Sequence, residues 1–447
     1  MRRSLVISVT LASLACSSSA TVIRVPDEEP TIQAGIDAAS HGDTVLMACG
    51  TYYEHDITMT SGVTLRGETG EPGCVIIDAE YLARAFYLVG VGEGATIEGL
   101  TVRHGFSGYA PGGAMYCEAC ALSMSSVVFE DNSAYDNGGA LYCFESELSL
   151  SDVVFDGNAA NMGGSGGAIY ADRSTAALSG AEFTDNACDA DGGAVCLTDS
   201  SGPITDVTFS GNTAGSEGGG LYCYRSSPHV TDVVFEGNHA DRDGGGMFCY
   251  YYAKPVLTDV LFAENSASRH AGGLHMKTYA NGSLTGVTFW RNTAVEHGGG
   301  MVLMAWTHPP ITSCTFADNS AGLNGGSVFC INESSPELNR VILAFSSSGE
   351  GIYGMDDSFP TLACCDVFGN VGGGYGGTVP DQTGMVGNIA EDPLFCAMVD
   401  CDLRLESGSP CLPGGSECGM LIGAHGEGCG GVAVESASWG AIKAMYR

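Results

Sequence analysis

VTDVVFEGNHADRDGGGMFCYYYAKPV, residues 230–256, returns with small changes about ten times along the chain, so it is one unit of a stacked repeat. Each unit has an apolar anchor: Val102, Phe129, Phe155, Phe183, Phe209, Phe235, Phe262, Phe289, Phe316, Leu343 and Val367 follow one another at intervals of 24 to 28 residues. Three residues after the anchor stands Asn in most copies: Asn132, Asn158, Asn186, Asn212, Asn238, Asn265, Asn292, Asn319 and Asn370, with Gly105 and Ser346 as exceptions. An aliphatic residue such as Ile204, Val230, Leu257 or Leu284 sits five before the anchor, and a glycine pair or triplet follows most of the Asn positions.

Two solenoids share this period. The half-unit Leu257-x-x-Val260-x-Phe262-x-x-Asn265 also matches a leucine-rich repeat. The other half decides between them. A leucine-rich repeat spends it on a helix or helical turn, whereas here it reads GGALYC, GGGLYC or GGGMFC, in which Gly disfavours helix and alternation favours strand. The expected fold is all-β, a single-stranded right-handed parallel β-helix with about three strands and three turns per coil.

Alternation sorts the side chains. With the anchor inward, Leu141 and Cys143, Leu221 and Cys223, Met247 and Cys249, and Val328 and Cys330 also face in. Tyr142 and Phe144, Tyr222 and Tyr224, Phe248 and Tyr250, and Phe329 and Ile331 face out. In-register stacking at about 4.8 Å per coil turns every such column into a ladder. The Asn ladder is read as structural, its amides bonding neighbouring turns so that buried polar groups are satisfied. The inward cysteines sit one coil apart, within disulfide range but with parallel side-chain vectors. Disulfides and free thiols packed as small apolar residues are both open there.

The ends differ from the middle. Met1-Arg2-Arg3, an apolar run from Leu5 to Ala15 and small residues to Ala20 read as an export signal over residues 1–20, with a lipidated Cys16 as the alternative. Residues 21–96 are read as an N-terminal cap and irregular first coils. They include a short helix with Ile32 and Ile36 on one face and strands at Val22 to Val25 and Thr44 to Ala48. The repeats occupy 97–395, dissolving after Val367 into a glycine-rich loop. Removing Cys16 leaves 18 of the 19 cysteines, an even number suited to disulfides after export. Cys396, Cys401, Cys411, Cys418 and Cys429 mark 396–431 as a stapled C-terminal cap, and 432–447 is a compositionally distinct tail. No segment past the leader reaches the roughly 18 apolar residues of a membrane helix. A formal charge of −35 from 52 Asp plus Glu against 17 Lys plus Arg repels nucleic acid.

Phe129-x-x-Asn132 followed by Gly138-Gly139-Ala140-Leu141 resembles the repeats of bacterial polymorphic outer membrane proteins, over about residues 97–370. The N-terminal stretch, with Thr31 to Ala39 and Gly50-Thr51-Tyr52-Tyr53-Glu54, resembles the opening coils of the wider pectin-lyase-like superfamily. The resemblance implies a secreted or surface β-helix, often an adhesin-like passenger, in a bacterium with an outer membrane. Those proteins finish with a C-terminal barrel for which residues after 430 are too few, so display by that route is not expected.

Three columns are candidates for function. The outward rings Tyr142, Phe144, Tyr222, Tyr224, Phe248, Tyr250 and Phe329 suit stacking on sugars or a surface protein, and the alternative is that they only shield the strands. His275 and Lys277 replace rings in that stripe. With Arg269, His270, Trp290, Arg291, His297, Trp306 and His308 nearby in sequence, they form the densest basic and aromatic group, in which His275, Lys277 and Arg291 are the candidate catalytic residues. Asp206, Asp232 and Asp259 share one turn column. Two such charges about 5 Å apart repel by only about 0.8 kcal/mol in water, so no ion is required, and calcium is the one cofactor left open. The reading that follows is an exported, non-catalytic binder of carbohydrate or a cell-surface partner, with a polysaccharide lyase or glycoside hydrolase as the alternative.

Overall fold

The computed structural model describes residues 20–429. Residues 1–19 of the 1–20 leader, with Cys16, and the 432–447 tail lie outside the described residues. Within them, successive coils pair only in parallel from Val22–Val25 to Tyr375–Gly377, giving the expected right-handed β-helix. No helix of the described residues is long and apolar enough to cross a membrane.

The coil at 229–250 shows the plan. Its strands are His229–Thr231, Val234–Glu236, His239–Ala240 and Met247–Tyr250, one more than alternation indicates. The first two belong to a single 25-stranded sheet and are separated at Asp232, which adopts φ 55°. Asp206 and Asp259 repeat that left-handed turn at φ 57° and 52°. Short polar side chains tolerate this conformation, so the Asp column is explained by backbone geometry. The third strands form an eight-stranded sheet and the fourth a twelve-stranded sheet. Gly244 turns at φ 70°, and a Cβ on Gly245 would run into the Ser266 carbonyl of the next coil, which is why glycine recurs before the fourth strand.

Two ladders hold the coils in register. The anchors from Phe129 to Phe316 are fully buried and stack with centroids between 4.4 and 5.1 Å apart. Beside them, Asn132 to Asn319 have no exposed surface. Asn238 Nδ2 donates to Phe209 O at 3.0 Å and to Asn265 Oδ1 at 2.9 Å. Its Oδ1 accepts from the backbone and side-chain nitrogens of Asn212 at 3.1 and 2.9 Å. A second polar ladder, which sequence reading passed over, runs through Ser146, Ser174, Ser200 and Ser226, each backbone N–H donating to the next hydroxyl. The inward Cys117, Cys143, Cys223 and Cys249 are free buried thiols.

The N-terminal helix Ile32–Ala38 forms as expected, capped by Thr31 Oγ1 on Ala34 N–H at 3.1 Å, with Ile32 and Ile36 buried against the first coil. A disulfide, Cys49–Cys74, ties the first coils together and escaped the sequence analysis.

The C-terminal segment is stapled by disulfides as expected, and its path is what the sequence did not indicate. The glycine-rich loop contains a strand, Tyr375–Gly377, paired with Ile352–Gly354. The segment from Phe395 to Ile422 runs back along the side of the rod. Phe395, Met398 and Leu403 pack on Val234, Leu261, Trp290 and Ala317, outward residues of the second strands. Leu405, Cys411 and Ile422 pack on Ile342 and Ala344. Trp290 Nε1–H donates to Met398 O at 3.0 Å, and the Ala424 N–H donates to Thr315 Oγ1 at 2.9 Å. The segment is a lateral strap, because those second strands carry Val, Leu, Trp and Ile on their outer face from about Val234 onward and need cover. It is stapled by Cys396–Cys429 and by Cys364–Cys418, the latter reaching into the last coils. Cys401 and Cys411, also disulfide candidates, are buried in the apolar contacts of the strap, and the Cys411 thiol donates to Asp366 Oδ2 at 3.3 Å.

Two outcomes follow from this architecture. Asn238→Ala leaves four hydrogen-bonding partners in a dry interior and is expected to cost about 2–5 kcal/mol in urea unfolding. Asp366 lies fully buried under the strap, and burial, followed by Glu391 and Asp392, pushes its carboxyl up to about 7. It therefore contributes stability that is complete below its ordinary 3.8 and lost as pH rises through about 7, with about 4 kcal/mol as the upper bound. Proteolysis of residues 390–429 is expected to be faster at pH 8 than at pH 5, and Asp366→Asn to remove most of that difference.

Candidate functional site

The outer face of the twelve-stranded sheet carries two columns in strict register. One runs Tyr87, Tyr116, Tyr142, Tyr170, Cys196, Tyr222, Phe248, His275, Val302 and Phe329. The other includes Phe144, Tyr224, Tyr250 and Lys277. Alternation therefore assigned these side chains to the correct side of the sheet.

It did not assign their exposure. Tyr222 is 8% exposed, Phe248 0% and Phe329 1%. Phe248 lies between Tyr222, stacked at 5.6 Å, and the edge of His275 at 4.9 Å, with Tyr250 at 6.2 Å and Lys277 Nζ at 5.9 Å leaning over it. Phe329 lies between His297 at 4.3 Å and Tyr353 at 5.8 Å. The turn that precedes each fourth strand folds beside the first column, and neighbouring coils close the remaining gaps. Tyr142, Phe144, Tyr224 and Tyr250 remain half-buried. Of these, Phe144 carries the Arg173 guanidinium 4.2 Å above its ring.

The exposed rings stand one turn further on. Tyr252, Tyr279 and Trp306 occupy the same position in consecutive coils and stack at 5.1 and 5.3 Å, within 10° of parallel. Tyr252 is 51% and Trp306 41% exposed, and Tyr251 packs edge-on against Tyr252 at 5.0 Å. Tyr251 and Tyr252 both have positive φ, as do Thr278 and Tyr279, and Ala305 and Trp306. Bulky residues seldom occupy that conformation, where glycine or asparagine is cheaper, so rings at this corner are retained against a backbone cost. The signal was legible: residues 252, 279 and 306 are one repeat apart. Of the three only Trp306 falls within the basic and aromatic group named above, because the column lies outside the strand pattern.

A titratable cluster flanks the buried rings. Bridges join Glu217, Asp243, His270, His297 and Asn324 into one turn column. Asp243 is fully buried and bonded to Arg269, whose Nε–H donates to Oδ1 at 2.8 Å. Burial alone would raise the Asp243 carboxyl, but the hydrogen-bonded Arg269 guanidinium holds it below its ordinary value. Burial lowers His275 to about 3, and lowers His270 and His297, which stack at 5.4 Å. Burial raises Asp191, and burial together with Asp191 raises Glu217. His275 thus sits beside Asp243, Nδ1 to Oδ2 at 3.8 Å, as a neutral ring with no exposed surface.

The three catalytic candidates are not brought together. His275 and Lys277 share a strand, and only Lys277 is accessible. Arg291 follows the strand Thr288–Trp290 at another corner, pairing with Asp318 at 3.0 Å and Glu264 at 3.8 Å and lying 4.4 Å over Trp290. Asp206, Asp232 and Asp259 line their corner as described, and among the described residues no group of three or more His, Cys, Asp and Glu is arranged to hold a metal ion.

The family model described as "right handed beta helix region" matches residues 61–231 and 193–376. No curated protein matches. Among solved structures, the chain is similar to the A-module of a mannuronan C-5 epimerase of Azotobacter vinelandii, at 13% identity and TM-score 0.42 over 81% of this chain and 94% of that one. It is similar also to pectate lyase Pel9A, at 11% identity and TM-score 0.38 over 92% and 97% of the two chains. A polygalacturonase of Erwinia carotovora ssp. carotovora gives 13% and 0.33 over 84% and 100%.

The enclosure of Phe248 between its neighbours makes that ring a packing element. Phe248→Ala is expected to lower stability by about 3–5 kcal/mol in urea unfolding, the range for emptying a packed aromatic site.

Proposed function

This chain belongs to the right-handed β-helix family, and on that scaffold we propose that it is a binding protein for a carbohydrate polymer, held across the Tyr251, Tyr252, Tyr279 and Trp306 corner of the coils. The observation that carries the reading is the exposure of Tyr251, Tyr252 and Trp306 at a strained backbone position. A stacked ladder hides the faces of its inner rungs, so the open face belongs to its last member. Trp306 is that member, since the next coil continues with Glu333. An exposed indole beside further rings suits the apolar face of a pyranose, and repeated coils offer repeated contacts to a polymer. Location at the cell surface or outside the cell is part of the proposal. It is supported by the apolar leader in the sequence and by the disulfides Cys49–Cys74, Cys364–Cys418 and Cys396–Cys429. The outer-membrane protein repeat type remains a resemblance of motif and adds a surface partner as a competing ligand.

One observation favours the alternative of a polysaccharide-cleaving enzyme. Lys277 is accessible, and its ammonium is close enough to Glu217 to oppose the rise of that carboxyl caused by burial and Asp191, so a cation stands beside a protonatable acid on one face.

Binding to a panel of neutral and acidic polysaccharides by the full mature chain tests both. Trp306→Ala with Tyr279→Ala is expected to weaken binding at least about tenfold at an unchanged melting temperature. Unchanged binding in that variant sinks the proposal. Cleavage of any polymer, lost in Lys277→Met, replaces it with the enzymatic reading.

A further inference from the structure

At the N-terminal end of the same sheet a second ladder begins. Tyr87, Tyr116, Tyr142 and Tyr170 stack at 5.3, 5.4 and 5.6 Å. Tyr87 is its first rung and is 43% exposed. The preceding coil supplies Ile57 and Thr58 at this level and no ring, so one face of Tyr87 is open. Tyr87 lines an open cleft of about 570 Å³ whose walls include Asp56, Leu82, Arg84, Phe106 and Ser107. The volume falls within the range of small-ligand sites.

Arg84 sets the chemistry. Its guanidinium lies 5.4 Å from the centroids of both Tyr87 and Tyr116, held by their ring faces. Arg103, Arg173, Arg225, Arg269, Arg291 and Arg404 are each paired with a carboxylate. Among the described residues Arg84, like Arg242 and Arg340, makes no such pair; Asp56, which also lines the cleft, bonds to His55 at 2.9 Å and acts on Arg84 only as a charge at longer range. Half-burial removes solvent from the guanidinium and pushes it down from its ordinary value. A partly desolvated guanidinium with no ion-pair contact, in a chain of net charge −35, keeps its fork available to an oxyanion.

We propose that this cleft binds a saccharide unit carrying an oxyanion, a carboxylate or a sulfate ester, with its ring on Tyr87 and its charge on Arg84. The pyranose part rests on the saccharide reading above, and the anion part rests on Arg84 alone. The site lies in the first coils, remote along the chain from Trp306, so the two can be separated.

Calorimetric titration of the full mature chain with galacturonate, glucose 6-sulfate and galactose tests the assignment. One or both charged sugars are expected to bind at least about tenfold more tightly than galactose, and which of them does so names the oxyanion. Arg84→Gln is expected to abolish that preference at an unchanged melting temperature, Arg84→Lys to keep part of it, and Trp306→Ala to keep all of it. Equal binding of the three sugars overturns the site, as does a preference that survives Arg84→Gln. A preference lost in Trp306→Ala instead moves the anion to the other ladder, ending this assignment while leaving the saccharide reading standing. Anion selectivity through Arg84 together with polymer binding indifferent to Trp306 does the reverse.

Discussion

A buried carboxamide can be dry only if both of its ends are bonded, and the column from Asn132 to Asn319 meets that condition in one way, by handing each amide to the coils before and after it. A coil slipped by one residue would leave donors and acceptors unsatisfied in an apolar interior. The Asn column therefore imposes register on everything else in the rod, including the Phe anchors that stack beside it and the glycines that let adjacent turns approach. The 26- to 28-residue spacing of its members is tolerant because the extra residue is absorbed in the turns, where little is buried.

The same stacking governs what the surface can do. Once columns are in register, rings on a strand cover one another, and Phe248 and Phe329 become as inaccessible as core residues although they point outward. Recognition is left to the ladder ends and to the turns, where Tyr87, Tyr252 and Trp306 keep exposed surface. Charge follows a parallel rule. His275 and Asp243 are enclosed by neighbouring coils, the imidazole neutral and the carboxylate paired with Arg269, whereas Lys277 two residues along the strand stays accessible.

The strap answers a different requirement. From about Val234 onward the second strands carry large apolar groups on their outer face, and the Phe395 to Ile422 segment covers them. Its two disulfides reduce the conformational freedom lost on docking. Asp366, enclosed by the same segment, makes that cover sensitive to pH.

Period, anchor, Asn column and glycine pattern were legible in the residues alone, and with them the β-helix, because each is a local demand repeated in every coil. The inward and outward sorting was legible too, since it depends only on strand alternation. Exposure was not: whether Tyr222 is open or Tyr252 is buried depends on how a turn folds over the adjacent column. Nor were the pairing of Cys418 with Cys364, the separation of Arg291 from His275, or the lateral path of the strap. These are contacts between residues distant in sequence or on different corners of a coil, and they carry no periodic signature. The sequence by itself determined the rod and its ladders; the tertiary structure alone decided which rungs meet solvent.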